Sequence, residues 1–425
     1  MAANTLRPQA PAVHDVGNAR ETPEHDPAGE VARACALLEE TRAGTLSLVA
    51  HLSPAELEAA HSPIMGPLVW DLAHIAAYQD LWLVHRHGGR PLLRPDLADL
   101  YDAFETPRSA RNHGPAGLLD VPAAHDYLAA THRRSCEVIE DAGLADRTLF
   151  ELVLRHELQH RETMRQTMSL AGLLPEGEPP TLAIGGTGPT GRVTATERQG
   201  ENGTGTRAGV EDGDGARWAD VAAGPHLVGA GPAGFAYDNE RPRWVADLDA
   251  FQIATTPLAN HDWQRFHEAG GYAHGDHWSS DGWTWLRKQP AADLEARMDA
   301  LSRSAQAQPT SCLSHISFFE ADAIARSRGA RLPSEAEWEK ARSLPHTLDA
   351  TGLVWEWTAS EFSAYPGFRA HPYREYSEVF FDRGYRVLRG SSWATHPRIA
   401  TPTFRNWDLP QRSQIFAGAR LARDL

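Results

Sequence analysis

The ten residues RHELQHRETM, 155–164, decide how the N-terminal third of this chain is read. They sit inside a run from about 147 to 173 whose only glycine comes near its end, which reads as one long helix. Residues four apart share a helix face, so His156 and His160 stand one above the other and can bind a single metal ion. Glu162 falls two residues past His160, about 200° further round at 3.6 residues per turn. A regular helix therefore turns Glu162 away from the pair, and a supporting or structural role is expected for it. A third ligand has to come from another helix. His74 in PLVWDLAHIAAYQDLW (67–82) is the candidate, because it interrupts an otherwise apolar helix in which Ala73, Ala76 and Ala77 leave space beside it. Among 21 histidines an HxxxH pair arises easily by chance, so His74 carries much of the weight, while His85 and His87 read as solvated residues at a helix end. Three neutral imidazoles suit zinc, iron or copper, and ligand type alone does not choose between them.

Outward from this stretch, four helical segments are expected at roughly 29–51, 65–87, 122–142 and 147–173. Four helices of this length predict a bundle over 29–175, with a site formed by inward side chains on facing helices. The N-terminal segment 1–28 has no apolar stretch resembling a signal peptide and reads as a disordered tail. After the bundle, 176–217 contains GEPP, GGTGPTG and GENGTGTRAGVEDGDG. Such a composition cannot fill a core and predicts a flexible linker. From Trp218 onward short apolar runs alternate with Gly, Pro, Asn and Asp, and 11 of the 13 tryptophans lie here, so large aromatics rather than long helices are expected to fill this domain (218–425). Helices are predicted only at 317–328 and 334–343, the second opened by a Ser334/Glu337 capping box. The remainder reads as irregular α+β structure with much loop.

Composition narrows the class. At 425 residues two domains are the natural expectation. A formal net charge of −15 speaks against a nucleic-acid partner, which needs a basic face. No apolar run approaches the ~18 residues of a membrane helix, so no membrane partner is expected. Cys35, Cys136 and Cys312 are odd in number and widely spaced without a CxxC, which suggests neither a disulfide framework nor a zinc knuckle. A cytoplasmic enzyme is expected.

The first half resembles the DinB-like helical bundle with its HxxxHxE motif. The second half resembles the formylglycine-generating-enzyme (sulfatase-modifying factor) domain, a variant of the C-type lectin fold. That likeness rests on GFAYDNERP (234–242), SHISFFEADA (314–323), RLPSEAEWEKA (331–341), LVWEWTAS (353–360), YRVLRGSSWAT (385–395) and FAGARLAR (416–423). The combination of PLVWDLAH, LYDAF, HELQHRETM, PYREYSEVFF and TFRNWD in this order is similar to the hercynine oxygenases of ergothioneine biosynthesis. The resemblance implies Fe(II) on His74, His156 and His160, in a site between the domains. It implies small-molecule substrates: hercynine, a thiol or selenol donor, and O₂. It further implies acceptor contacts from Gln159, Asn406 and Trp407, and a tyrosine proton donor, for which Tyr373 is preferred over Tyr376. Donor contacts are expected from Arg86, Arg90, Asp408 and Arg412.

The donor side departs from the family pattern. Where relatives commonly read HEQQHDETM, LLRDVGG and NWDYPIRRQ, this chain has HELQHRETM, LVHRHGGR and NWDLPQRSQ, so Arg161 replaces an acid while His85 and Ser413 replace arginines. Asp408 and Arg412 remain and suit the ammonium and carboxylate of γ-glutamylcysteine or cysteine. Selenoneine synthases, which bring a selenosugar to hercynine, are the alternative. Two further classes compete. A zinc DinB-type thiol transferase would leave the large second domain unexplained, and a binding module without chemistry would not need three intact histidines. Formylglycine-generating activity needs a cysteine pair near the C-terminus, and no cysteine follows Cys312.

Overall fold

A computed structural model of the chain describes residues 27–102, 106, 111, 118–144, 147–184 and 216–425. The expected tail over 1–26, part of LYDAF, and the linker over 185–215 lie outside the described residues.

Four long helices make the N-terminal domain: α1 (Pro27–Val49), α3 (Leu68–Gln79), α4 (Val121–Ala142) and α5 (Arg147–Ala171), with a one-turn α2 (Pro54–Glu58) between the first two. Local chemistry sets their ends. Ser53 and Glu56 form a capping box on α2, and Asp120 caps α4 by accepting from the Ala123 amide at 2.9 Å. α4 stops at Gly143, whose φ of 69° a side chain would resist. The helices pack through Leu68, Leu72, Ala73, Ala76, Leu128, Met164 and Met168, all at most 1% exposed. A buried polar network then sets how they are rotated. Arg42 on α1 donates to Glu157 on α5 at 2.9 and 3.0 Å, to Gln79 on α3 at 2.7 Å and to the Leu128 carbonyl on α4 at 2.8 Å. Gln79 in turn donates to Ser135 at 3.0 Å. The four guanidinium bonds reach three different helices, and the network holds the face of α5 that carries Glu157, leaving His156 and His160 free to point elsewhere.

α3 does not end at Gln79. It continues as a π-helical turn over Asp80–His87. Such turns rotate the following side chains relative to a regular helix and recur at functional sites. Asp80, buried, anchors this one by accepting from the Leu93 amide at 2.9 Å and the Tyr127 hydroxyl at 2.9 Å.

The C-terminal domain holds three small sheets, ordered β1-β4-β9, β2-β3 and β7-β6-β5-β8. Their strands are β1 (Trp218–Val221), β2 (Gly224–Val228), β3 (Trp244–Leu248), β4 (Phe251–Ala254), β5 (Trp355–Glu361), β6 (Arg386–Arg389), β7 (Asn406–Asp408), β8 (Ala417–Ala419) and β9 (Ala422–Asp424). Strand β7 sits on the edge of its sheet, pairing only with β6 and opposing Trp407 to Val387. The predicted helices appear as α9 (Phe318–Ser327) and α10 (Glu335–Ser343), each opened by a serine–glutamate capping box. Three others were not expected: α6 (Asn260–Glu268), α7 (Ser280–Arg287) and α8 (Ala291–Ala307). The first two are too short to be stable alone and are sustained by packing of Trp263, Phe266 and Leu286 into the core. α8 was legible as an uninterrupted run of helix formers, but it buries only Leu301 and Ala305, so its apolar spacing is sparse.

The expected linker is also corrected at its start. Leu182 is buried against Cys312, Val354 and Trp393, Ala183 bridges to Ser311, and Glu178 pairs with Arg165 at 2.8 Å. Residues 178–184 are therefore packed structure, because two apolar side chains, Leu182 and Ile184, reach a core that the surrounding Gly and Pro conceal. No helix of the described residues is long and apolar enough to cross a membrane.

Candidate metal centre

His74, His156 and His160 come together: one nitrogen from each lies within 4.8 Å of the others, the only such group of three or more possible ligands among the described residues. The outer nitrogens are held by partners that can only accept. His74 Nδ1 lies 2.6 Å from the Tyr101 carbonyl, and His160 Nδ1 lies 2.9 Å from Asp71 Oδ1. Both Nδ1 atoms must therefore carry hydrogen, which leaves Nε2 of each ring as the lone pair facing inward. His74 Nε2 stands 3.1 Å from His156 Nε2. Burial first, and the neighbouring His160 second, push the pKa of His74 and of His156 well below 6.5, so both rings are neutral ligands. Trp70 stacks on His74 at 4.6 Å, and Tyr78 lies flat on His156 at 3.6 Å. Three oriented imidazoles with converging inner nitrogens fit a first-row divalent metal.

These ligands line one wall of a cavity of about 860 Å³ between the bundle and the second domain. Tyr373 and Tyr376 enter from the far wall. Tyr373 OH lies 2.9 Å from Tyr78 OH, and its ring stacks on Trp82 at 4.8 Å. The π-helical turn is what brings Trp82 and Arg86 to this cavity. Burial raises the Tyr373 phenol well above its ordinary value, with the Tyr78 hydroxyl working against that, so it stays protonated. Gln159, between the two helical ligands in sequence, is held from both sides: its amide donates to Tyr376 OH at 3.4 Å and accepts from Tyr237 OH at 3.3 Å. Asn406, Trp407, Asp408 and Arg412 line the same space, brought there by the edge position of β7. Trp407 has one face against Phe362 at 4.2 Å.

Arg90 is the exception. It pairs with Asp141 on α4 and does not line the cavity, because the chain reverses at Gly88 and Gly89 just before it. Ser413 is likewise directed elsewhere, accepting from Arg297 at 2.7 Å. His87 is half-buried against the Gly143 carbonyl rather than solvated. Asp71, Tyr78, Trp82, Arg94, Arg111 and Tyr237 belong to the cavity or its support and were not singled out in the sequence. None carried a usable signal: Asp71 stands three residues before His74, yet it pairs with His160 on another helix.

Glu162 points away from the ligands, as its helical phase requires, and is buried in the second domain. Its carboxylate accepts from Trp355 Nε1, Ser392 Oγ and Thr395 Oγ1, each at 2.7 Å. The helix that carries two ligands is thereby tied to the other domain two residues beyond the site.

A helical bundle and an irregular α+β domain enclosing a three-histidine centre define a class of two-domain metalloenzymes, and comparisons with known proteins narrow it. The DinB superfamily matches residues 37–164, and the sulfatase-modifying factor enzyme 1-like domain matches residues 212–344 and 346–425. The hercynine oxygenase of Mycolicibacterium smegmatis is 35% identical, with 90% of this chain and 97% of that protein covered. That of Mycobacterium tuberculosis is also 35% identical, over 91% of this chain and 98% of that protein. Ergothioneine biosynthesis protein 1 of Neurospora crassa is 43% identical over a shorter stretch, 17% of this chain and 9% of that protein. With this likeness spanning both domains, the chain belongs to the hercynine oxygenase family.

Proposed function

We propose that this chain holds iron(II) on His74, His156 and His160 and uses O₂ to couple a thiol donor, γ-glutamylcysteine or cysteine, to the imidazole C2 of hercynine. The observation that carries this reading is the three-imidazole centre set in the wall of a cavity of about 860 Å³, roomy enough for two substrates, with the Tyr373 hydroxyl reaching in from the other domain. Iron(II) bound there supplies O₂ activation and a Lewis-acidic position that keeps a chalcogen donor ionised.

The chain's own residues do the rest. Held in one cavity, the two reactants meet without a bimolecular encounter. Gln159, clamped by two tyrosines, presents a fixed amide to the acceptor. A trimethylammonium cannot donate a hydrogen bond, so the exposed part of Trp407 suits it, and the Asp408 carboxylate is left for the donor's ammonium. Tyr373 keeps a proton on its phenol oxygen, and stacking on Trp82 fixes where that proton is delivered. Tyr373→Phe is expected to retain the metal while lowering coupled product about 10²-fold or more. Oxygen would still be consumed, now oxidising the donor alone. Product analysis by mass spectrometry checks this, and unchanged coupled product would remove Tyr373 from the chemistry.

A second reading, coupling of a selenosugar to hercynine, is favoured by one observation: Arg90 and Ser413 both make their contacts outside the cavity. A dicarboxylate thiol then relies on Arg86 and Arg412, with Arg94 and Arg111 also on the lining. Arg412→Ala is expected to raise the KM for a peptide thiol ten- to a hundred-fold, the cost of a charge-assisted contact of about 1.5–3 kcal/mol, and the KM for a sugar selenolate only slightly. Incubating the Fe(II)-loaded protein with hercynine and γ-glutamylcysteine, cysteine or a selenosugar separates the readings by product mass. No hercynine-dependent product with any donor would sink both. A fully active zinc form without oxygen uptake would point to thiol transfer instead.

A further inference from the structure

The two-stranded sheet of the C-terminal domain leaves one edge open. β2 and β3 pair only with each other, setting Leu227 opposite Val245 and Pro225 opposite Asp247. Opposed residues of an antiparallel pair alternately exchange both backbone hydrogen bonds or neither. Pro225 has no N–H, so the Pro225–Asp247 pair exchanges neither, and the Leu227–Val245 pair, two residues along, is of the same kind. The N–H and C=O of Val245 and Asp247 therefore point away from β2, along the free side of β3. No backbone group of the described residues bonds to them there. The outer edge of β2 is different, because the same parity places Pro225 on it, and a proline in that position blunts an edge against a further strand.

One face of this hairpin packs inward, with Val228, Trp244, Ala246 and Leu248 against Ala336 and Tyr365. The other faces water and carries Leu227, 47% exposed, and Val245, 58% exposed, side by side. Arg243 and Asp247, on either side of Val245, are exposed as well. We propose that this edge is an interface between two copies of the chain, β3 pairing antiparallel with β3 of a second copy about a two-fold axis at Val245.

The stretch RWVAD, 243–247, is self-complementary in that register. A two-fold axis sets each residue opposite its mirror image. Val245 then meets Val245 of the second copy and exchanges both outward hydrogen bonds with it, while Arg243 meets Asp247 and Asp247 meets Arg243. Opposite charges directly across an antiparallel pair stabilise it, and like charges at the two positions would drive the copies apart. The outer row becomes Leu227, Val245, Val245 and Leu227, an apolar strip across the joined sheet that takes part of each side chain out of water. With β2 blunted on its outer side, strand addition stops at two copies, which gives a closed dimer rather than a fibre. None of these residues lines the metal cavity, so the interface leaves the site accessible.

Sedimentation velocity of the full-length protein between about 1 and 100 μM is expected to show a reversible monomer–dimer equilibrium, as fits a small edge-on interface. Hydrogen exchange at the Val245 and Asp247 amides should slow as the dimer forms. Arg243→Asp should weaken the dimer about ten-fold or more, by setting acids opposite one another, and adding Asp247→Arg should restore it. Val245→Pro should leave only monomer, since it removes an outward N–H and no bond to β2. If that variant folds poorly, the charge reversal and its rescue decide the matter. A wild-type chain monomeric at the highest concentration would overturn the proposal, and protection of both amides in that monomer would assign the edge to another segment of the same chain. A dimer indifferent to Arg243→Asp and Val245→Pro would place the interface elsewhere and overturn it equally.

Discussion

His156→Ala is expected to weaken metal binding on the order of a thousand-fold and to abolish hercynine-dependent oxygen consumption. Structural zinc sites with four protein ligands contribute a binding free energy of about 10–16 kcal/mol, so one ligand accounts for roughly 2.5–4 kcal/mol, up to about a thousand-fold. The same loss is expected for His74→Ala and His160→Ala, because all three inward nitrogens lie within 4.8 Å of one another and no other group of possible ligands stands among the described residues. Asp71→Asn gives the graded comparison. It keeps an acceptor near His160 Nδ1 but removes the charge, and such supporting changes cost about 10–100-fold in affinity. Metal content by mass spectrometry and competition with a chelator measure both. Full metal occupancy in any one histidine variant would remove that residue from the centre.

Glu162→Ala is expected to destabilise the protein by about 3–5 kcal/mol, with the loss showing as parting of the two domains before the bundle melts. The substitution removes a buried carboxylate and leaves the Trp355 N–H and the Ser392 and Thr395 hydroxyls without their acceptor. Each buried donor so stranded costs about 1–3 kcal/mol. Glu162→Gln is milder, about 1–2 kcal/mol, since an amide oxygen still accepts and the two hydroxyls can rotate. In the Gln variant the metal should stay bound, because the side chain faces the second domain and not the ligands. Chemical denaturation followed by tryptophan fluorescence reports the first effect, Trp355 lying at the interface, and metal analysis reports the second. Loss of metal from the Gln variant with the fold intact would mean that Glu162 acts on the centre itself.

Much of this site was legible because helical geometry is local. The four-residue spacing of His156 and His160, the outward phase of Glu162, and a lone histidine among alanines in a second helix follow from 3.6 residues per turn and need no tertiary information. The capping box at Ser334 was readable for the same reason, and the fold adds a second of the same spacing at Ser317. The boundaries between bundle, glycine-rich stretch and tryptophan-rich domain came from composition.

Contacts between distant segments were decided only by the fold. Nothing near Glu162 in sequence announces that Trp355, Ser392 and Thr395 will surround it, since those partners lie 193 to 233 positions away. Arg90 reads like a donor ligand beside Arg86, yet a reversal at Gly88 and Gly89 turns it to Asp141. The π-helical turn at Asp80–His87 depends on Asp80 finding the Leu93 amide and Tyr127, so regular helical counting fails from that residue onward. The sequence by itself marked His74, His156 and His160 as candidate ligands and separated a helical bundle from an irregular α+β domain, because these readings rest on periodicity and composition within single segments. Which side chains line the cavity and what braces the metal helix rest on packing between segments, where one buried carboxylate or arginine chooses its partner by geometry rather than by distance along the chain.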